Sequence, residues 1–432
     1  MDTLRKKISD RRATVGVMGL GYVGLPLALE FARKGFSVTG FEINPSLARD
    51  LSKGTSHIPD VASMDLKEVV DAGHFRATRD FDGLRRCDAI IVCVPTPLRK
   101  TKEPDVSLIQ KACGDIARRL RRGQLVILES TTYPGTTREM VLPMFEARRL
   151  RLGRDFHLAF SPERVDPANK DYGIPNTPKV VGGLDRESTE LAALLYGQIV
   201  ERVIKVSSAD AAEMAKLLEN TFRAINIGLA NEFALMSHRL GLDVWEVIAA
   251  ASTKPFGFMP FYPGPGLGGH CIPVDPTYLA WKMKSMNFEP RFIELATSIN
   301  SQMPEYVVER VVELLNGRRR AVNGSRVLVL GVAYKPDVND IRESPSFDVL
   351  KLLSGLGARV RYHDPYVPKI GFAGLRMRSE PLTAASLKGA DLVLILTAHR
   401  CVDYGSVVRH ARLLFDTRNA AAGLRGRNVH RL

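Results

Sequence analysis

The chain is poor in cysteine, with 5 in 432 residues, and none of them stands in Cys-x-x-Cys spacing. No disulfide framework is expected, and thiols so few and scattered fit a reducing cytoplasm. Long apolar runs are missing too. Residues 89–94, AIIVCV, are far too few to cross a bilayer, so no membrane insertion is expected. The basic opening MDTLRKKISDRR leads into no apolar segment, which argues against a secretory signal. Acidic residues are outnumbered, 47 against 61 Lys and Arg, for a formal net charge of +14. An anionic partner suits that excess, as does plain solubility. No basic tract with interleaved aromatics accompanies it, so nucleic acid is not the expected partner. Short repeats and low-complexity segments are also lacking. The composition, 45% hydrophobic and 25% charged, is that of a soluble globular protein. The length suits roughly two to three domains. Collagen-like, disordered, membrane and small secreted classes are excluded.

What is present is alternation. Residues 15–18, 36–41, 89–94, 125–128 and 157–160 read as buried strands. Helical spacings such as Leu25, Leu29 and Ala32 lie between them. This pattern predicts a parallel, doubly wound sheet. From about Ser207 the period changes. Met214, Leu217, Leu218, Phe222, Ile225, Leu229, Phe233, Met236 and Leu240 recur at three or four, one adjacent pair apart. That predicts a long helix, too long for a crossover, which serves as a spine between domains and as a dimer surface. Strand-like runs return at 326–330, 359–362, 392–396 and 413–415, after a linker at 316–325. The expected fold is α/β: two Rossmann-like doubly wound domains joined by a central long-helix dimerisation domain. The expected bounds are 1–206, 207–315 and 316–432.

The first strand runs straight into Gly19-Leu20-Gly21-Tyr22-Val23-Gly24. In a dinucleotide fold the first glycine makes the tight turn and the second lets backbone approach a pyrophosphate. The third lets helix and strand pack closely. The helix N-terminus then offers free N–H groups to the phosphates. Tyr22 and Val23 belong to the same loop. Glu42 follows 18 residues after Gly24, where a carboxylate accepts from both ribose hydroxyls and repels a 2′-phosphate. NAD is the expected cofactor, with Arg33 and Lys34 keeping NADP open. Thr96 in Val-Pro-Thr-Pro and Thr131 in Glu-Ser-Thr-Thr-Tyr-Pro-Gly leave strand ends on the same sheet edge. They are candidates for holding the cofactor or a water, or else plain turn residues.

The most informative segment is residues 261–275, FYPGPGLGGHCIPVD. Four glycines within six residues expose amides and leave space for a bulky ligand. A thiol, Cys271, and a carboxylate, Asp275, follow. In that setting Cys271 reads as a nucleophile, while Cys87, Cys93, Cys113 and Cys401 read as small buried hydrophobes. His270 is a weaker candidate as a thiolate partner. On a helix over 211–232, Lys216, Asn220 and Arg223 share a face. Lys216 and Asn220 suit a developing oxyanion, and Arg223 reads as solvated. Glu163 in Ser-Pro-Glu-Arg reads either as a base toward water or as a salt-bridged carboxylate. No metal site is expected.

The stretches GLGYVGLP, VPTP, SPER, AEMAKLLENTFRAINIGLANE, PGPGLGGHCIPVDP and GVAYKPDVNDIRESP resemble the UDP-glucose/GDP-mannose dehydrogenase family, in order from about residue 13 to 425. The resemblance implies an N-terminal NAD domain, a central helical dimerisation domain and a C-terminal nucleotide-sugar domain. It also implies four-electron oxidation of a sugar C6 alcohol, through a thiohemiacetal and then a thioester on Cys271, of the kind that supplies surface polysaccharide precursors. Covalent trapping retains the reactive aldehyde between the two hydride transfers. By the same resemblance Lys216 and Asn220 hold the oxyanion, and Asp275 manages water or a proton. Glu163 is the base for thioester hydrolysis, and Thr131 holds a water. Lys335 and Arg418 bind the sugar nucleotide, a dianion that suits cationic partners. Arg164, Phe261, Tyr262, Gly264 and Gly268 line the substrate side. Glu163-Arg164-Val165-Asp166-Pro167, where UDP-glucose members often carry a PEFL-type stretch, is similar to the branch acting on UDP-N-acetylhexosamines. Within that branch the chain is similar to UDP-N-acetylglucosamine 6-dehydrogenases. UDP-N-acetylmannosamine, UDP-N-acetylgalactosamine and UDP- or TDP-glucose stay open.

Two rivals make different predictions. A two-electron dehydrogenase or epimerase uses the same turn but gives Cys271 no covalent role, and yields one NADH or none per sugar. A regulator that binds NAD or a nucleotide sugar without turnover has no need of a thiol beside a carboxylate.

Overall fold

The computed structural model describes residues 3–99, 103–166, 169, 171–372 and 374–432. Pro167 of the glutamate loop and the first two residues of the basic opening lie outside them. The chain divides into two compact units, Met1–Glu219 with Thr277–Asn287, and Asn220–Pro276 with Phe288–Leu432.

In the first unit eight strands form one sheet. They are β1 (Thr14–Met18), β2 (Ser37–Phe41), β3 (Phe75–Thr78), β4 (Ala89–Val92), β5 (Gln124–Leu128), β6 (Phe156–Phe160), β7 (Lys179–Gly183) and β8 (Val203–Lys205). Their order is β3-β2-β1-β4-β5-β6-β7-β8. Every pair is parallel except β6 with β7. β4 and β5 are buried at every position, as strands covered by helices on both faces must be. The order reverses between β1 and β4, and the crevice outside the strand ends at such a switch point is where ligands bind in these sheets. The loops after β1, β2, β4, β5 and β6 all leave that edge.

The expected strands are present, with ends moved by one or two residues. The strand in the run at 89–94 ends at Val92; Cys93 N still donates to Met18 O, and beyond it Pro95 and Pro97 can donate nothing to a ladder. β3, β7 and β8 carried too little apolar signal to be read. β3 is four residues and half polar, β7 begins with a lysine, and β8 has three residues, none fully buried.

The second unit holds β9 (Arg326–Leu330), β10 (Arg359–His363), β11 (Lys369–Phe372), β12 (Leu375–Arg378), β13 (Leu392–Ile395), β14 (Leu414–Asp416) and β15 (Val429–Arg431). A parallel sheet runs β10-β9-β13-β14-β15, with β11 and β12 as a separate hairpin. Its switch point lies between β9 and β13.

Between the two sets of strands the sequence is helical: Ala209–Leu240, Val244–Ala251, Asp275–Lys284 and Arg291–Gly317. The last of these runs into the stretch expected as a linker, so only residues 318–325 connect it to β9. The 32-residue helix Ala209–Leu240 is about 48 Å long at 1.5 Å per residue. It buries its small side, Ala212, Ala224, Ala230 and Ala234, together with Leu217. Leu218, Phe222, Leu229, Phe233 and Leu240 are 44–72% exposed. Among the described residues no helix is long and apolar enough to cross a membrane.

Candidate active site

In the first unit the glycine turn is built as a dinucleotide cradle. Gly19 has φ +87°, a left-handed conformation that favours glycine. A Cβ added to Gly24 would sit 1.9 Å from the Gly19 carbonyl oxygen, so the third glycine is required by close packing. A Cβ added to Gly21 would meet no heavy atom within 4 Å. The second glycine therefore answers no need of the protein itself, as expected where a pyrophosphate passes. Helix Gly24–Arg33 begins without a side-chain cap, but Leu25 N donates to Gly21 O and Pro26 has no N–H, so it offers an anion the positive end of its dipole rather than the row of free N–H groups expected. Glu42 is buried behind the turn. Its carboxylate accepts from Leu20 N at 3.3 Å and Asn44 N at 2.9 Å, which aims it along the loop edge. Tyr22 is exposed on the rim. Arg33 pairs with Glu30 and Asp65, at 3.1 and 2.8 Å. These residues fit NAD.

Thr96 is buried after β4, and Thr131 is half-buried after β5. Other side chains pin both loops. The Tyr278 hydroxyl donates to the carbonyls of Thr96 (3.0 Å) and Pro97 (3.2 Å). Glu213 accepts from Gly135 N, Thr137 N and Thr137 Oγ1 at 2.6–2.9 Å. Burial raises its pKa to about 7 against those donors. Trp281 packs on Tyr133 with ring centroids 5.1 Å apart. None of these anchors announces itself in the sequence, because each is one polar or aromatic residue in a helical pattern.

Glu163, after β6, is salt-bridged. Lys179 Nζ lies 2.9 Å from its Oε2 and also bonds Glu129 Oε1. Tyr196 OH donates to the other oxygen of Glu129. Arg164 N and Val165 N donate to Glu163 Oε1 at 2.8 and 2.6 Å. Burial alone would raise Glu163, but Lys179, a hydrogen bond shared with Glu129 and the Val165 N–H hold it down at about 2. Burial pushes Glu129 up to about 7 despite Lys179. Arg164 donates to Pro178 O (2.7 Å) and pairs with Glu219 (2.8 Å), which tethers the loop. Lys216, also of this unit, is half-buried.

In the second unit Cys271 is exposed, at the end of the glycine loop. Asp275 N donates to Cys271 O at 2.9 Å, closing a five-residue turn. The buried Asp275 carboxylate accepts from Asn220 Nδ2. The loop glycines do not leave room for a bulky ligand, contrary to the expectation. A Cβ at Gly264 would lie 2.4 Å from Arg418 Nη1, and one at Gly268 only 2.8 Å from Tyr334 Cβ. Nor are the loop's amides all open, since Gly264 N donates to Asn231 Oδ1 and Gly269 N to Arg342 O. The glycines let the cysteine loop lie flat on the segments that carry Lys335 and Arg418. Lys335 Nζ is 5.8 Å from the centroid of the Tyr334 ring. Arg418 Nε donates to Leu396 O at 2.9 Å, and burial lowers its pKa to about 10, still cationic at neutral pH. Phe261 packs on Phe222 and Tyr262 on Trp245.

Burial and Arg342 lower the pKa of His270, whereas a thiolate partner would be raised by its anion. Arg223 is exposed. Cys87, Cys93 and Cys113 are buried, but Cys401 is not: it lies in the exposed turn that follows β13 and His399.

Residues 13–200 match the NAD binding domain of the UDP-glucose/GDP-mannose dehydrogenase family, 210–302 its central domain and 328–422 its UDP binding domain. A UDP-N-acetyl-D-glucosamine 6-dehydrogenase of Pseudomonas aeruginosa is 40% identical over 355 residues, 82% of this chain and 83% of that one. A UDP-N-acetyl-D-mannosamine dehydrogenase of Pyrococcus horikoshii is 36% identical over 413 residues, 94% and 95% of the two chains. The solved structure of the UDP-D-ManNAc dehydrogenase from Pyrococcus horikoshii superposes with a TM-score of 0.87 at 33% identity, covering 97% of this chain and 98% of that one. The three domains and two parallel sheets expected from the sequence are those of this family. The chain therefore belongs to the UDP-glucose/GDP-mannose dehydrogenase family and is an NAD-dependent nucleotide-sugar dehydrogenase.

Proposed function

We propose that this enzyme oxidises the C6 alcohol of UDP-N-acetylglucosamine to the uronate in two successive two-electron steps, with Cys271 holding the carbon between them. The observation that carries the reading is the turn in which an exposed thiol is closed on Asp275, whose carboxylate is oriented by Asn220. NAD, held by Gly19, Gly21, Tyr22, Val23, Gly24, Glu42 and Thr96, supplies the hydride acceptor in both steps. Cys271 Sγ bonds the aldehyde carbon and its oxygen becomes an alkoxide. Lys216 and Asn220 donate to that oxygen, the role in which fixed donors lower a barrier most. Asp275 takes the proton that the Cys271 thiol sheds as sulfur bonds the carbon. After the second oxidation Thr131 orients a water, and Glu163 receives its proton as the thioester opens. Lys335 and Arg418 hold the diphosphate, with Arg164, Phe261, Tyr262, Gly264 and Gly268 lining the substrate side. The domain bounds on this reading are 1–206, 207–315 and 316–432.

The choice of UDP-N-acetylglucosamine rests on the more identical of the two relatives and on the Glu163-Arg164-Val165 loop. UDP-N-acetylmannosamine is the second reading, favoured by the longer match and the superposition. We also place a homodimer contact on the exposed stripe Leu218, Phe222, Leu229, Phe233 and Leu240. A monomer rarely leaves so continuous an apolar stripe in water. The enzyme is mixed with NAD and each UDP-sugar, and NADH is counted per sugar consumed. Two NADH with UDP-N-acetylglucosamine, and no uronate from Cys271→Ser while NAD still binds, is the expected result. One NADH per sugar, or uronate from the serine variant, refutes it.

A further inference from the structure

Glu129, Lys179 and Tyr196 have no part in the scheme above, yet they surround its base. Glu129 directly follows β5, Lys179 opens β7, and Tyr196 ends helix Arg186–Tyr196. The Glu129 side chain is 0% exposed, Lys179 5% and Glu163 14%. One ammonium thus bridges two carboxylates in a nearly closed space. With both carboxylates ionised the trio carries one uncompensated negative charge, and burial makes that costly. The trio therefore holds a proton readily, and its titration belongs to the group as a whole.

The surroundings decide where that proton rests. Glu163 is stabilised as an anion by two backbone N–H donors besides Lys179, and it is the member nearest solvent. Glu129 has Lys179 and the Tyr196 hydroxyl but no backbone donor, and the Glu163 carboxylate beside it repels its anion. Cys93 also faces it, and burial keeps that thiol un-ionised. The downhill direction for a proton is inward, from Glu163 to Glu129.

Resting on the reading of Glu163 as the hydrolytic base, we infer that Glu129 and Lys179 are positioning residues acting through it: as Glu163 takes a proton from water, Lys179 hands one of its own to Glu129 and accepts that of Glu163. The water O–H bond breaks, its oxygen bonds the thioester carbon, and the C–S pair leaves on Cys271 as thiolate. Nothing is oxidised or reduced. The proton stored on Glu129 returns by the same route to the thiolate or to solvent. A carboxylate held near 2 is by itself a poor acceptor, because general bases work best near the operating pH. Glu129, at about 7, supplies the missing basicity.

The test is Glu129→Gln, which keeps an acceptor for Lys179 and a partner for Tyr196. Native enzyme, Glu129→Gln and Glu163→Gln are each mixed with NAD and UDP-N-acetylglucosamine and acid-quenched, and the Cys271 thioester is followed by mass spectrometry from pH 6 to 9. In native enzyme thioester decay should quicken with pH through about 7, as Glu129 loses its proton. Glu129→Gln should accumulate thioester, decay roughly tenfold to hundredfold more slowly, and lose that inflection. A native rate and profile in Glu129→Gln, with thioester accumulating in Glu163→Gln, overturns the inference and leaves the base assignment standing. Thioester accumulating in neither variant removes Glu163 as base, and the inference with it. If Glu129→Gln fails to fold, Tyr196→Phe decides: losing the hydroxyl donor should move the inflection upward, and an unmoved inflection overturns the inference.

Discussion

Gly21 and Gly24 sit three residues apart in one loop, yet they should fail in opposite ways when replaced by alanine. At Gly21 the added methyl points into open space and the backbone φ is not left-handed, so the protein without cofactor has no reason to suffer. A slight gain of about 0.4–1 kcal/mol is expected from the stiffer unfolded chain. Where a pyrophosphate lies against that backbone, the methyl holds it off the helix N-terminus. Losing one charge-assisted hydrogen bond costs about 1.5–3 kcal/mol. At about 1.4 kcal/mol per tenfold, NAD should bind roughly ten- to a hundredfold more weakly. At Gly24 the methyl falls 1.9 Å from the Gly19 carbonyl oxygen and 3.1 Å from Cys93 Cβ, so backbone must shift before any cofactor arrives. Overpacking of that kind costs about 1–3 kcal/mol, or about 2–12 °C in Tm at roughly 2–4 °C per kcal/mol. Thermal melts without cofactor and calorimetric titration with NAD separate the two effects. If Gly21→Ala melts as low as Gly24→Ala, or binds NAD at native affinity, the division of labour within the turn is wrong.

Lys216→Ala should lower kcat roughly a hundredfold or more, as removal of an oxyanion donor does; an effect on KM alone refutes that role. Glu42→Ala should weaken NAD and relax discrimination against NADP, read from the ratio of kcat/KM for the two cofactors, and an unchanged ratio counts against the ribose contact. Leu229→Asp places a charge in the middle of the exposed apolar stripe, so sedimentation should show a shift toward monomer. An unaltered mass distribution moves the dimer contact elsewhere.

Much of this was legible because function here rests on residues that break a local rule. Gly21 stands in the strand-to-helix passage where another residue would serve structure as well, between Gly19 and Gly24, which the turn itself requires. Cys271 is a thiol placed among glycines. The strands at 89–92 and 124–128 showed because a parallel sheet needs unbroken apolar runs. The long helix was legible in length but less so in meaning. Its large apolar residues recur with the right period, yet periodicity does not say which face is covered, and the alanine side is the buried one. The cysteine-loop glycines were misjudged for the same reason. A sequence shows that a side chain is missing but not what fills the space, and here Arg418 and Tyr334 fill it.

Glu129 and Lys179 escaped notice on different grounds. They are 50 positions apart, at the end of one strand and the start of another, and each has an unremarkable reading alone: a polar strand terminus and a solvated lysine. Only the sheet order β5-β6-β7 brings them together, with the Glu163 loop leaving the strand between. Their burial follows from that topology, and the proton affinity of the trio follows from burial. A site of this kind is recoverable from sequence only by first placing the strands, and β7 is the strand that its own leading lysine disguises. The residue that hides the strand is thus the one that joins the two carboxylates.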